Sequence, residues 1–121
     1  MKKMLVGLIS AIFFSFKCQA QQITINEFMS KNETIILGTD DEYNDWIELY
    51  NSHQYSINLV NYKLSDDKDR LDKWRFPDTN IPSQSSLLVF ASGKDTVNGA
   101  ELHTNFKISS LGEALYLTQG N

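Results

Sequence analysis

The chain of 121 residues carries 11 Lys and Arg against 15 Asp and Glu, for a formal net charge of −4. Binding to nucleic-acid phosphates needs clustered basic side chains, so this acidic balance excludes nucleic acid as an expected partner. Cys18 is the only cysteine, which excludes an internal disulfide.

The first 20 residues are predicted to be a secretory signal peptide. Lys2-Lys3 gives a basic start, residues 4–16 are uncharged and largely apolar, and Cys18-Gln19-Ala20 offers small residues where a signal peptidase reads. The apolar run is short for a membrane span, which needs about 20 residues. An N-terminal anchor helix is the alternative, and a lipoprotein acylated at Cys18 is disfavoured because Lys17 precedes it.

Cleavage after Ala20 would leave residues 21–121 as one domain by length, without a membrane span. Its expected location is secreted, periplasmic or on the cell surface. Since the removed segment contains three lysines and no acid, 8 basic residues would remain against 15 acidic ones, for a net charge of −7. The remaining domain has no cysteine, so its stability must come from packing.

The rest of the chain alternates short apolar–polar runs with turn residues, a pattern typical of an all-β sandwich or barrel. No helical period extends beyond about two turns. The fold class predicted is an antiparallel β-sandwich of seven to eight short strands. The predicted strands are Gln22–Met29, Asp45–Tyr50, Ser56–Leu59, Tyr62–Asp66, Lys73–Phe76, Leu87–Ser92, Leu102–Ser109 and Glu113–Thr118.

The period of two assigns side chains to faces. In the second strand it places Ile47 and Leu49 on one face and Trp46, Glu48 and Tyr50 on the other. The run 87–91 is apolar at both parities, so we expect it to be covered on both sides. The side chains predicted to lie between the two sheets are Ile47, Leu49, Leu88, Phe90, Phe106, Leu115 and Leu117.

The stretch DDEYNDWIELYN, residues 40–51, raises the question of a metal site. Asp40, Asp41, Glu42 and Asp45 offer the oxygen ligands that Ca²⁺ prefers, and a second acidic loop follows at residues 66–72. Neither stretch has the glycine and terminal glutamate of a calcium-binding loop, and basic residues partly neutralise the second. We therefore predict a solvated loop before the strand and no metal or cofactor site.

Catalytic motifs are absent from the sequence. It has no nucleophile elbow, no histidine pair at metal spacing and no glycine-rich phosphate loop. His53, in a turn, and His103, in a strand, are interpreted as structural rather than as ligands. We therefore predict no catalytic residue, and the alternative is a small hydrolase with paired carboxylates converging in a pocket.

Four aromatic residues suggest a further alternative. Trp46, Tyr50, Tyr62 and Trp74 would suit stacking on sugar rings if they formed an exposed platform. Burial in the core or over a sheet edge is the competing interpretation, and large aromatic side chains favour it.

Six blocks of sequence, in order, resemble the lamin tail domain, an immunoglobulin-like β-sandwich of nuclear lamins and many secreted bacterial proteins. Together they span the chain after residue 20. The predicted signal peptide makes the chain resemble the bacterial branch of this family rather than the nuclear lamins. The blocks are INEF (25–28), DWIELYN (45–51), INLVNYKLSDD (57–67), WRFP (74–77), LLVFASGK (87–94) and LHTNFKISSLGEALYL (102–117).

The resemblance implies a secreted, non-catalytic module that mediates attachment or protein interaction within a larger secreted protein. It also implies that any chemistry lies in an accompanying domain. The partner expected is a protein, a cell-surface component or a carbohydrate. Gln119-Gly120-Asn121 is typical of the start of a hairpin turn, so we expect a further strand to follow in the complete protein.

Overall fold

The computed structural model describes residues 22–111 and 114–120, and these residues contain ten strands and no helix. The predictions for the signal peptide, for the strand start at Glu113 and for the turn at Asn121 concern residues outside these ranges. The strands are β1 (Ile23–Met29), β2 (Trp46–Asn51), β3 (Ile57–Asn58), β4 (Tyr62–Ser65), β5 (Trp74–Arg75), β6 (Asn80–Ile81), β7 (Ser86–Phe90), β8 (Val97–Asn98), β9 (Glu101–His103) and β10 (Tyr116–Gln119).

The strands form three sheets around one core. A five-stranded sheet has the order β1-β2-β7-β9-β8, a three-stranded sheet has the order β10-β4-β5, and β3 pairs with β6. Buried apolar residues from all three sheets belong to one cluster, including Ile47 and Leu49 of the large sheet, Leu64 of the small sheet and Ile81 of β6. This arrangement confirms the predicted all-β sandwich of the immunoglobulin-like class.

One pairing departs from the antiparallel prediction. β7 and β9 are parallel, with Val89 beside Leu102 and Phe90 beside His103. After β7 the chain forms β8 and then reverses through Gly99, which has the positive φ of +62° that glycine adopts without strain. Two reversals bring β9 back in the direction of β7.

Strand boundaries follow the sequence pattern except where strands are very short. The strands β6 and β8 have two residues each and were not predicted, because two residues show no alternation. The predicted strand Leu102–Ser109 ends early, at His103. There Thr104 Oγ1 donates to the carbonyl of Phe106 at 2.7 Å and begins a turn.

The predicted core is right for the second strand and wrong at two positions of β7. Ile47, Leu49 and Phe106 lie in the core cluster, and Leu115 and Leu117 pack against it. Val89 pairs with Ile47, and Leu87 with Leu49, so Leu87 and Val89 face the core. Leu88 and Phe90 therefore point to the opposite face of the sheet. Because residues 87–91 are apolar on both faces of the strand, the sequence pattern did not show which face is turned to the core.

Candidate functional site

The segment between β1 and β2, residues 30–45, is called here the acidic connection. Its bends are held by Asn32, which is buried. The Asn32 Nδ2 donates to the carbonyls of Ile36 at 2.7 Å and Asn44 at 3.1 Å, and its Oδ1 accepts the Ile35 amide at 3.1 Å. One side chain thus joins the two ends of the connection.

Two acids of the connection are paired with a lysine that follows β7. The Lys94 Nζ forms ion pairs with Asp40 and with Glu42, the latter at 2.8 Å. The hydrogen bond from Lys94 lowers the pKa of Asp40, and the same pairing raises the pKa of Lys94. Both acids tie the connection to the sheet. Since the Glu42 side chain remains 60% exposed, the predicted solvated loop is corrected only for Asp40, which is 25% exposed.

The other two calcium candidates point elsewhere. Asp41 is exposed and has a φ of +60° at the turn, and Asp45 Oδ1 accepts the Lys31 amide at 2.8 Å. Within the described ranges, no group of three His, Cys, Asp or Glu side chains is placed to hold a metal ion. That no metal is bound stays a prediction.

The second acidic loop is likewise occupied by internal contacts. Lys73 Nζ lies 2.6 Å from Asp66 Oδ1, and Asp67 Oδ1 accepts the Asp69 amide at 2.9 Å. Since a salt bridge and a turn hydrogen bond account for these carboxylates, the loop serves the local fold.

A second anchor of the connection is Glu101 on β9. Its Oε1 accepts from Thr39 Oγ1 at 3.0 Å and lies 2.8 Å from His103 Nε2, and its Oε2 accepts the Thr39 amide at 3.0 Å. Desolvation raises the pKa of Glu101, but the hydrogen bonds from His103 and Thr39 outweigh it and leave this pKa lowered. Glu101 is thus a charged acceptor.

The other ring nitrogen of His103 contacts Ser92. Ser92 Oγ lies 2.8 Å from His103 Nδ1. In the tautomer whose Nε2–H donates to the Glu101 carboxylate, Nδ1 accepts the Ser92 hydroxyl. The order serine, histidine, glutamate matches that of a hydrolase triad, but Ser92 is 4% and His103 2% exposed. The array lies beneath the surface and acts as a structural support.

The aromatic platform that would have supported sugar binding does not form. Trp46 is 5% exposed, Tyr62 and Trp74 are also buried, and only Tyr50 is half-buried. Trp74 Nε1 donates to Asp95 Oδ1 at 3.1 Å. Burial of Tyr62 raises its pKa. Three of the four rings therefore belong to the interior, which removes the basis of the carbohydrate alternative.

The last residue of the DWIELYN block has a structural role. Asn51 is fully buried, and its Nδ2 donates to the carbonyls of Tyr55 and Ile81, each at 2.9 Å, and of Pro82 at 3.1 Å. Its Oδ1 accepts the His53 amide at 2.9 Å, while the His53 ring packs against Tyr55. Asn51 thus joins two loops at one end of the sandwich.

The surface of the five-stranded sheet turned away from the core is called here the outer face. One row of cross-strand neighbours crosses it: Glu27 is opposite Glu48, Glu48 opposite Leu88, and Glu101 opposite Asn98. Leu88 is level with Glu101, one residue before the parallel pair of Val89 and Leu102. We refer to Glu27, Glu48, Leu88 and Glu101 as the acidic row.

A β-bulge places an additional polar residue at the row. The register of β1 against β2 shifts between Ile25 and Glu27, so Asn26 is the extra residue. Asn26 Nδ2 donates to Glu48 Oε1 at 2.6 Å. In the described part of the chain neither Glu27 nor Glu48 takes part in an ion pair.

A cleft borders the row between the sheet and the acidic connection. It has a volume of about 420 Å³ and is lined by Leu88, Phe90, Thr39, Asn98 and Glu101 among others. The sequence pattern predicted part of the acidic row, since it placed Glu48 on the face opposite Ile47. The bulge, and the neighbourhood of Glu101 and Leu88, depend on strand register and were not predicted.

The fold and these polar anchors define an immunoglobulin-like β-sandwich domain. The family model that matches the chain is the Lamin Tail Domain, over residues 18–121, and the chain belongs to this family. The family is non-enzymatic, and its members are interaction modules. The search of curated proteins and the search of solved structures gave no match. In the described residues, no helix has the length and apolar character needed to cross a membrane.

Proposed function

We propose that this protein is a secreted, non-catalytic module of the lamin tail type that docks to a protein partner. Family membership over residues 18–121 carries the proposal, because the family is one of interaction domains. In this function the sandwich is a rigid support for a surface, and any chemistry belongs to an accompanying domain.

The contacts of the reactive side chains support a non-catalytic role. Ser92 and His103 are buried, and Asp40 and Glu42 converge on Lys94. Catalytic acids and bases must reach a substrate within hydrogen-bond distance. These groups reach one another instead, and they join the acidic connection to the sheet.

Export is supported by the N-terminal sequence. A basic start, an apolar run over residues 4–16 and small residues up to Ala20 are typical of a cleaved signal peptide. Cleavage there would deliver a domain of net charge −7 to the periplasm, the cell surface or the medium. The absence of cysteine after Ala20 makes the domain independent of the redox conditions outside the cytoplasm.

One experiment tests both parts of the proposal. The full chain is expressed with a C-terminal affinity tag in a bacterial host, and the exported material is measured by intact mass and cross-linked to extracellular proteins. We expect Gln21 as the first residue and a saturable, reproducible protein cross-link. Full-length protein retained in the cell would contradict export. Turnover of an ester, glycan or phosphodiester, abolished by one carboxylate substitution, would contradict the non-catalytic role.

A further inference from the structure

The outer face combines negative charge that is not neutralised with an apolar cleft. Glu27 and Glu48 are direct cross-strand neighbours, and like charges in that relation destabilise a sheet. Lys94, which follows β7, is already paired with Asp40 and Glu42. A cation from outside the chain would relieve the repulsion between Glu27 and Glu48.

We propose that the acidic row binds an extended segment of a partner protein that carries a basic residue two positions from an apolar one. This inference rests on the proposed function and adds the site and the chemistry of the partner. The apolar side chain of the segment enters the cleft over Leu88 and Phe90. The basic residue pairs with Glu27 and Glu48, whereas Glu101, whose oxygens are bonded to Thr39 and His103, only borders the cleft.

The spacing of the row determines the spacing of the segment. Neighbouring strands lie about 4.8 Å apart, so Leu88 is about 5 Å from Glu48 and about 10 Å from Glu27 across the sheet. In an extended segment alternate side chains share a side and repeat every 6.7 Å or so. A basic side chain between Glu27 and Glu48 is about 7 Å from Leu88 across the sheet, which matches an apolar residue two positions along the segment.

Charge decides between an external partner and a second copy of this chain. Lys63 and Arg75 are cross-strand neighbours on the small sheet and line a cleft with Arg70, Asp69 and Asp72, and Asp72 lies 3.6 Å from Arg75. That surface is therefore nearly compensated. The domain after residue 20 also carries a net charge of −7, so two copies repel each other. The occupant is a basic segment of a different protein.

The probe for the test is a fluorescein-labelled peptide with the central sequence KTLTS, measured by anisotropy against the full chain. We expect saturable binding that weakens at least tenfold in the double variant Glu27→Gln/Glu48→Gln and weakens with added salt. The matched control is Glu33→Gln, which removes one charge from an exposed position in the acidic connection and should leave the affinity unchanged. The peptides ETLTS and KTSTS should bind at least tenfold more weakly.

The outcomes separate this inference from the proposed function. Equal affinity of the probe for the unsubstituted chain and for the double variant contradicts binding at the acidic row, as does equal binding of KTSTS. Self-association in sedimentation that the double variant abolishes assigns the face to a second copy and also overturns it. If a protein cross-link persists unchanged in the folded double variant, the interaction function stands and this site for it fails.

Discussion

The ring of His103 lies stacked against the ring of Phe90, with centroids 5.2 Å apart and an interplanar angle of 24°. Both residues lie on the outer face, beneath the acidic connection, and both are buried. The large sheet therefore has a covered part on each side. Its inner face packs on the main core, and part of its outer face supports the connection.

The faces of β2 and β7 can be tested with two identical substitutions. Leu49 is fully buried in the core, whereas Leu88 is half-buried on the outer face. Leu49→Ala should lower the free energy of unfolding by about 2–5 kcal/mol because it leaves a cavity. Leu88→Ala should cost less than about 1.5 kcal/mol. Urea unfolding of both variants measures the difference, and equal losses would contradict the face assignment.

Asn51 is expected to be essential for stability. In Asn51→Ala three carbonyls and one amide lose their side-chain partner, and unsatisfied buried groups cost about 1–3 kcal/mol each before relaxation. We expect a loss of about 2–4 kcal/mol in chemical denaturation. Asn58→Ala, at an exposed position, is the control and should cost about 1 kcal/mol or less. A loss no greater than that of Asn58→Ala would show that water replaces the Asn51 contacts.

The pairing of Asp40 with Lys94 predicts a pH dependence. The folded pKa of Asp40 lies below its ordinary value of 3.8. Such a carboxyl contributes stability that is complete above pH 3.8 and is lost as the pH falls through the lower, folded value. The stability difference between the unsubstituted chain and Asp40→Asn should therefore be constant near neutral pH and shrink below pH 3.8. Urea unfolding at a series of pH values tests this, with Asp41→Asn as the control. A difference that grows on acidification would contradict it.

Glu101 should control the opening of the acidic connection. In Glu101→Gln the Thr39 amide loses a charged acceptor, and such hydrogen bonds contribute about 1.5–3 kcal/mol. Hydrogen exchange of the Thr39 amide should accelerate at least tenfold, while amides in the centre of β2 keep their rates. Glu33→Gln provides the comparison with equal charge. Unchanged exchange at Thr39 would show that Lys94 alone holds the connection.

Calcium is expected not to bind tightly. Asp40 and Glu42 are occupied by Lys94, and Asp45 accepts a backbone amide, so the four candidate side chains do not share one centre. Calorimetric titration with Ca²⁺ should give no saturable binding below the millimolar range. A stoichiometric site lost in Asp41→Asn would refute this expectation.

The alternation of residues was sufficient to place most strands and to assign the faces of β2. It was insufficient in β7, where Leu87 to Ala91 are apolar at both parities, and in β6 and β8, which are two residues long. Family resemblance supplied the sandwich class. The pairing of Lys94 with Asp40 joins residues 54 positions apart and depends on how the connection folds over the sheet. No local pattern carries that information.

The bulge at Asn26 also bears on how the domain behaves at high concentration. β1 is the edge strand of the large sheet, and an exposed edge strand offers backbone groups to strands of other molecules. The bulge interrupts the regular spacing of those groups, and Glu27 adds an exposed charge beside it. Edge-to-edge aggregation through β1 is thereby disfavoured, so the domain can expose one face of its largest sheet without pairing through that edge.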